Sequence, residues 1–189
     1  MIRAFLAVPL PDDIRSALSV QQFLLPLPDS TDPEQFHLTL VFLGDCPDDV
    51  LEAAHDGFAT LRSPGLTLTL QGFGLFGGMR PHTAWAGVQP SPALTHLQAR
   101  AHRRAIEAGC ALPRRRFVPH VTLGRFAPPP APEAQRLERA IALTPFSSRP
   151  FAVTDLHLIE STLSPKGARY DLLARYPLAT GSFAGDPEG

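Results

Sequence analysis

Lysine is almost absent. Lys166 is the only one, so 16 of the 17 basic residues are arginine, whose planar fork can bind two phosphate oxygens at once. Charge of either sign is not in excess: 17 basic residues face 18 acidic ones, for a net charge of -1. That balance argues against a protein that coats nucleic acid by releasing counterions, and leaves room only for a grip on a short end or a small piece. Cysteine is scarce too. Cys46 and Cys110 stand 64 positions apart with no CxxC pair, so neither a disulfide framework nor a zinc knuckle is indicated. No apolar run approaches a membrane span. The stretch Met1–Pro9 is too short for a signal-peptide core, and Asp12 and Asp13 follow closely. The expectation is a cytoplasmic chain, monomeric and without a membrane partner.

A chain of 189 residues with 44% hydrophobic and 19% charged residues has a normal globular balance, enough for one compact domain. The 21 prolines are about twice the usual share and fall mostly at element boundaries. Residues 2–9 read as a buried strand, and Pro11-Asp12-Asp13 opens a helix to Leu24, its acids in the first turn where the helix dipole favours them. A strand over His37–Leu43 and a second proline-acid-acid helix from Pro47 to Leu61 follow. Leu66–Leu70 alternates Leu and Thr as a half-exposed strand, Gly72–Gly78 reads as a glycine-rich turn, and Thr83–Val88 as a strand. The second half echoes the first: a helix over Ser91–Ala108, a loop with Arg114, Arg115 and Arg116, a strand over His120–Phe126 and a proline-rich linker. A helix over Glu133–Leu143 and strands over Phe151–Ile159 and Ala168–Arg175 close the order. This pattern predicts an α+β fold of two lobes, each with an antiparallel sheet and helices outside, over residues 1–178, with a Gly/Ser/Pro-rich flexible tail at 179–189.

A duplicated tetrapeptide is the most informative feature. His37-Leu38-Thr39-Leu40 recurs as His120-Val121-Thr122-Leu123. With 7 histidines and 12 threonines in 189 positions, about 0.4 His-x-Thr pairs are expected by chance, and flanking apolar positions lower this further. On a strand, His and Thr of each copy share one face while the apolar pair points into the core. Related by a pseudo-two-fold, the copies would face each other across a central cleft the size of a phosphate. Two imidazoles of near-neutral pKa can serve as base and acid in one turnover, and two hydroxyls can bond phosphate oxygens. A lone strand histidine is more often merely packed or solvated, and no chemistry is assigned to His55, His82, His96, His102 or His157. Glu52-Ala53-Ala54-His55 has a carboxylate-bridged metal spacing but no second copy, and there is no HExxH. No metal and no cofactor are expected.

Beyond the tetrapeptides, the chain resembles the two-histidine phosphoesterase superfamily, specifically the bacterial and archaeal RNA 2′,3′-cyclic phosphodiesterases historically called 2′-5′ RNA ligases. Arg3–Val8 with Leu10-Pro11 is similar to that family's opening strand and helix. Phe36–Gly44 and Pro119–Arg125 match its two HxTx motifs, and Glu160–Tyr170 its closing hairpin. Where many relatives carry an aromatic residue and a Pro-Glu-Asn turn, this chain has Asp32-Pro33-Glu34-Gln35-Phe36.

The resemblance implies a bilobal pseudo-two-fold fold and metal-independent hydrolysis of a 2′,3′-cyclic phosphate to a 2′-phosphomonoester. It implies RNA ends or short oligoribonucleotides as partners, His37 as proton donor, His120 as proton acceptor, and Thr39 and Thr122 as phosphate ligands. Sequence alone does not separate the acid from the base. Substrate-binding candidates are Arg125, Arg80 and Tyr170. Strict alternation turns Arg125 away from His120, and a bulge near Gly124 would bring it back. Arg80 also reads as a solvated loop cation, Tyr170 as a core residue, and Arg114–Arg116 as a solvated loop. Two alternatives stay open: reversible 2′-5′ ligation by the same histidines, and a noncatalytic module binding RNA ends or nucleotides.

Overall fold

The computed structural model describes residues 1–113, 116–164 and 167–179. Arg114, Arg115, Lys166 and most of the expected tail (180–189) lie outside the described residues. The elements run β1 (Ile2–Pro9), α1 (Asp12–Leu24), β2 (His37–Cys46), α2 (Asp48–Ala59), β3 (Leu66–Leu68), β4 (Leu70–Phe76) and β5 (Thr83–Val88). They continue with α3 (Pro92–Glu107), β6 (His120–Arg125), α4 (Ala131–Leu143), β7 (Phe151–Val153), β8 (Asp155–Ser164) and β9 (Gly167–Pro177). The fold is α+β, and every strand pair is antiparallel.

Strands β2, β1, β8 and β9 form one lobe, and β4, β5 and β6 the other. The lobes meet edge to edge through a single residue pair, Leu38 opposite Val121, which joins them into a seven-stranded order β4-β5-β6-β2-β1-β8-β9. The joining residues are the x of each HxTx repeat, so the seam of the molecule runs between the two motifs. Buried Ala4, Leu6 and Val8 of β1, Leu38 and Leu40 of β2, and Ala84 and Ala86 of β5 line the helix-covered side. Burial of the leucine and valine side chains among them contributes roughly 1.5–3 kcal/mol each.

Three sequence readings are corrected, the first being the strand over Leu66–Leu70, which breaks at Thr69 so that Leu70 opens β4. Gly72–Gly78 is a turn only at Gly77 and Gly78: residues through Phe76 belong to β4, because glycine at position 74 lets the strand pass beneath a bulky neighbour. A Cβ at Gly74 would lie 2.2 Å from the Trp85 ring. The segment read as one strand over Phe151–Ile159 is two, interrupted at Thr154, and its first part, β7, pairs with β3 in a separate two-stranded ribbon.

Both motif strands carry a bulge at the same place. Leu6 and Ala7 pair with Val41 and Thr39, leaving Leu40 extra; Ala84 and Trp85 pair with Gly124 and Thr122, leaving Leu123 extra. A bulge removes a carbonyl from the ladder, and that carbonyl needs another donor. The Leu123 carbonyl accepts from Thr31 N (2.8 Å) and from the buried Gln22 Nε2 of α1 (2.7 Å). The Leu40 carbonyl accepts from Gln98 Nε2 of α3 (3.4 Å). Each helix buttresses the motif of the opposite lobe.

The loop after α1 presses on the second bulge so closely that a Cβ at Gly124 would lie 2.2 Å from the Asp29 carbonyl oxygen. Gly124→Ala should therefore destabilise the protein by about 1–3 kcal/mol in urea unfolding, as overpacked sites do. Unchanged stability would mean that the loop yields freely and does not hold the bulge.

Candidate active site

Period-two alternation places His37 and Thr39 on the face of β2 away from the core, and His120 and Thr122 on the same face of β6. The extra residue at Leu40 and at Leu123 then reverses the alternation. Phe42 returns to the face of His37, opposite Phe5, and Arg125 returns to the face of His120, opposite Thr83. The bulge anticipated near Gly124 is present, one residue earlier. Arg125 is exposed and has no hydrogen bond or ion pair among the described residues, while its charge acts on His37, His120 and Tyr170. An unpaired guanidinium facing two imidazoles can pair with an anion.

The imidazoles are held alike. His37 Nδ1 donates to the Gln35 carbonyl at 2.7 Å, and His120 Nδ1 donates to the Val118 carbonyl at 2.7 Å. A carbonyl only accepts, so Nδ1 carries the proton in both rings and Nε2 is left for chemistry. His37 Nε2 lies 3.0 Å from Thr39 Oγ1. Thr122, half-buried, sits beside Trp85 across the β5–β6 ladder.

Aromatic rings enclose each imidazole differently. Phe5 stacks on His37 at 4.6 Å and 26°, and Tyr170 meets its edge at 5.4 Å and 79°. Phe76 meets His120 edge-on at 4.9 Å, and Trp85 lies at 6.2 Å. Burial pushes the His37 pKa down to about 4, opposed by the Gln35 carbonyl and aided by the charges of Arg125 and His120. The His120 pKa is also lowered, by burial first and then by Arg125. These shifts favour the neutral form of both rings. This differs from the near-neutral pKa values expected from sequence, because the apolar rings around the histidines were not counted. Burial raises the Tyr170 hydroxyl, opposed by Arg125 and Arg3.

Tyr170 thus belongs to the cleft rather than the core. Arg80 lies exposed in the turn between β4 and β5, its N–H bonded to the Gly77 carbonyl, and is not among the charges acting on either imidazole. Among the described residues no group of three or more His, Cys, Asp or Glu could hold a metal ion.

Sequence reasoning missed Phe5, Phe42, Phe76 and Trp85. Phe5 carries a usable signal, since alternation along β1 sets it opposite the core residues Ala4 and Leu6, but unbroken apolarity hides it. Phe42 occupies in the first copy the place of Arg125 in the second, and Arg3 lies over its ring at 4.7 Å.

The profile of the 2′-5′ RNA ligase superfamily matches residues 10–164. An RNA 2′,3′-cyclic phosphodiesterase of Escherichia coli is 31% identical over 181 residues, 93% of this chain and 96% of that protein. One of Geobacillus stearothermophilus is 30% identical over 192 residues, covering 98% of this chain but 58% of that longer relative. The structure of E. coli LigT with 3′-AMP superposes with a TM-score of 0.78 at 28% identity, over 95% of this chain and 98% of that one. By the profile match, the extent of sequence identity and the shared topology, the chain belongs to the 2′-5′ RNA ligase superfamily of two-histidine phosphoesterases.

Proposed function

We infer that this chain hydrolyses RNA 2′,3′-cyclic phosphate ends to 2′-phosphomonoesters by general acid–base catalysis from two histidines. The observation that carries the reading is the matched pair of imidazoles, each with Nδ1 tied to a carbonyl two residues back, beside the unpaired Arg125. Relatives across bacteria and archaea carry the same activity in their names, and LigT binds 3′-AMP.

The cyclic phosphate takes the place between the motifs. Arg125 and the hydroxyls of Thr39 and Thr122 hold its non-bridging oxygens, whose charge grows in the transition state. His120 Nε2 takes a proton from water as the water oxygen attacks phosphorus. His37 Nε2 gives a proton to the 3′ oxygen as its bond to phosphorus breaks. The products are a 2′-phosphate and a free 3′ hydroxyl, with the proton moved from one ring to the other. The phosphate anion favours the charged imidazole that burial disfavours, so substrate itself helps to load the acid. Phe42 and Tyr170 offer faces for a base or ribose, and the enzyme works in the cytoplasm on RNA ends as a monomer.

A short RNA ending in a 2′,3′-cyclic phosphate tests the reading. The expected product is the 2′-phosphate isomer, formed equally well after exhaustive chelation. Loss of activity on chelation, restored by added zinc or manganese, would overturn the metal-free mechanism. Adding a 5′-hydroxyl RNA to the same assay reports whether ligation accompanies hydrolysis.

His37→Ala and His120→Ala should each lower turnover by about 10²–10⁴-fold while the protein stays folded. A nitrophenyl phosphodiester, whose leaving group scarcely needs an acid, should restore His37→Ala and not His120→Ala. The opposite pattern would exchange the two roles.

The lowered imidazole pKa values set the pH behaviour. Turnover needs one ring charged and one neutral, and in the free enzyme that state is populated below the ordinary value of about 6.5. Hence kcat/KM should fall as pH rises through neutrality. The kcat profile, which reports the phosphate-bound enzyme, should sit at higher pH. Superimposable profiles would show that bound phosphate does not retune the histidines.

A further inference from the structure

The main chain and the side chain of Gln35 hold different parts of the cleft. Its carbonyl accepts from His37 Nδ1 at 2.7 Å. Its side-chain Nε2 donates to the Ala168 carbonyl at 2.6 Å, across 133 residues of sequence and at a part-buried position. Ala168 lies in β9 two residues before Tyr170, so both share the strand face whose ring meets the edge of His37. No other side chain in the turn before β2 makes such a bond among the described residues. Asp32 instead caps that turn by accepting from Glu34 N.

We propose that Gln35 is a positioning residue for His37, latching the β8–β9 hairpin against the first motif so that Tyr170 stays packed on the imidazole. The proposal rests on the reading of His37 as a proton-transfer group, but its geometry does not. Releasing the latch lets the hairpin and Tyr170 withdraw while the Gln35 carbonyl remains to hold Nδ1. The ring would keep its tautomer and gain water. The groups facing His37 are Thr39 on its own strand, Phe5 from β1, Tyr170 from β9, and His120 and Arg125 from β6. Of these, only Tyr170 stands on the element that Gln35 holds.

The test is NMR titration of the histidine rings in ligand-free Gln35→Met, which keeps length and loses the donor, alongside kinetics. The His37 midpoint should rise by about one pH unit, a tenfold gain in proton affinity, while the His120 midpoint stays in place. At neutral pH kcat should fall by about 10- to 100-fold as the acid is misplaced, with a smaller rise in KM as the Tyr170 face recedes. Combining Gln35→Met with Tyr170→Ala should add little to either single effect. If Gln35→Met does not fold, Gln35→Asn, one methylene too short for the bond, serves in its place. An unmoved His37 midpoint, equal movement of His120, or additive effects in the double variant would overturn the latch. A wild-type protein inert on cyclic phosphate, whose His37 still moves in Gln35→Met, would instead sink the proposed activity and leave the latch standing.

Discussion

The extra residue that closes each HxTx tetrapeptide governs the site. Without the bulges at Leu40 and Leu123, strict alternation would send Phe42 and Arg125 to the helix-covered side, where an unpaired guanidinium would be buried at high cost. With them, the cation faces the imidazoles. A bulge in a buried strand is itself expensive unless its freed carbonyl finds a donor, a loss of about 1–3 kcal/mol for each unsatisfied group. Gln22 and Gln98 meet that need, and they do so from helices that follow strands of the other lobe. The seam between the lobes has only one paired residue in its ladder, so these crossed glutamines and the packed helices fix how the motifs face each other.

The chemistry of the cleft follows from what those constraints enclose. Aromatic rings desolvate both imidazoles, and Arg125 adds a charge that repels a second proton. Among the described residues the cleft therefore brings together two imidazoles biased toward the neutral form and the unpaired Arg125. An anion paired with Arg125 would reverse this balance, making it easier to charge one ring. A neutral competitor gains neither effect, so selectivity for phosphate is built into the electrostatics before any base is recognised.

Much of this was legible in the sequence, and the limits were physical ones. The paired His-x-Thr repeats predicted a shared face and a cleft because side-chain alternation is a local property of strands. The helices opened by Pro11 and Pro47 were equally legible, since proline and first-turn acids mark helix starts. Gly72–Gly78 misled because Gly74 makes room for a neighbour's indole within a strand, and only Gly77 and Gly78 enter the turn. The Arg125 face depended on a bulge whose cause, the donors from Thr31 and Gln22, lies about a hundred residues away. The depressed histidine pKa values were invisible for the same reason: Phe5, Tyr170, Phe76 and Trp85 arrive from four different strands.

Duplication alone would give two identical histidines, and two identical histidines make a poor acid–base pair. Each would hold the proton half the time. The structure keeps what both must share, an Nδ1 bond to the carbonyl two residues back, and varies what surrounds it. His37 is stacked under Phe5 and closed by Tyr170. His120 is half-buried beside Phe76 and Trp85, with Arg125 where the first copy has Phe42. The burial that pushes His37 down to about 4 works against its role as donor, so the anion, which favours a charged imidazole, is what loads the acid. Here the difference is made by the residues placed around a shared geometry, so the two lobes could diverge in proton affinity without disturbing the distance or orientation that phosphate requires.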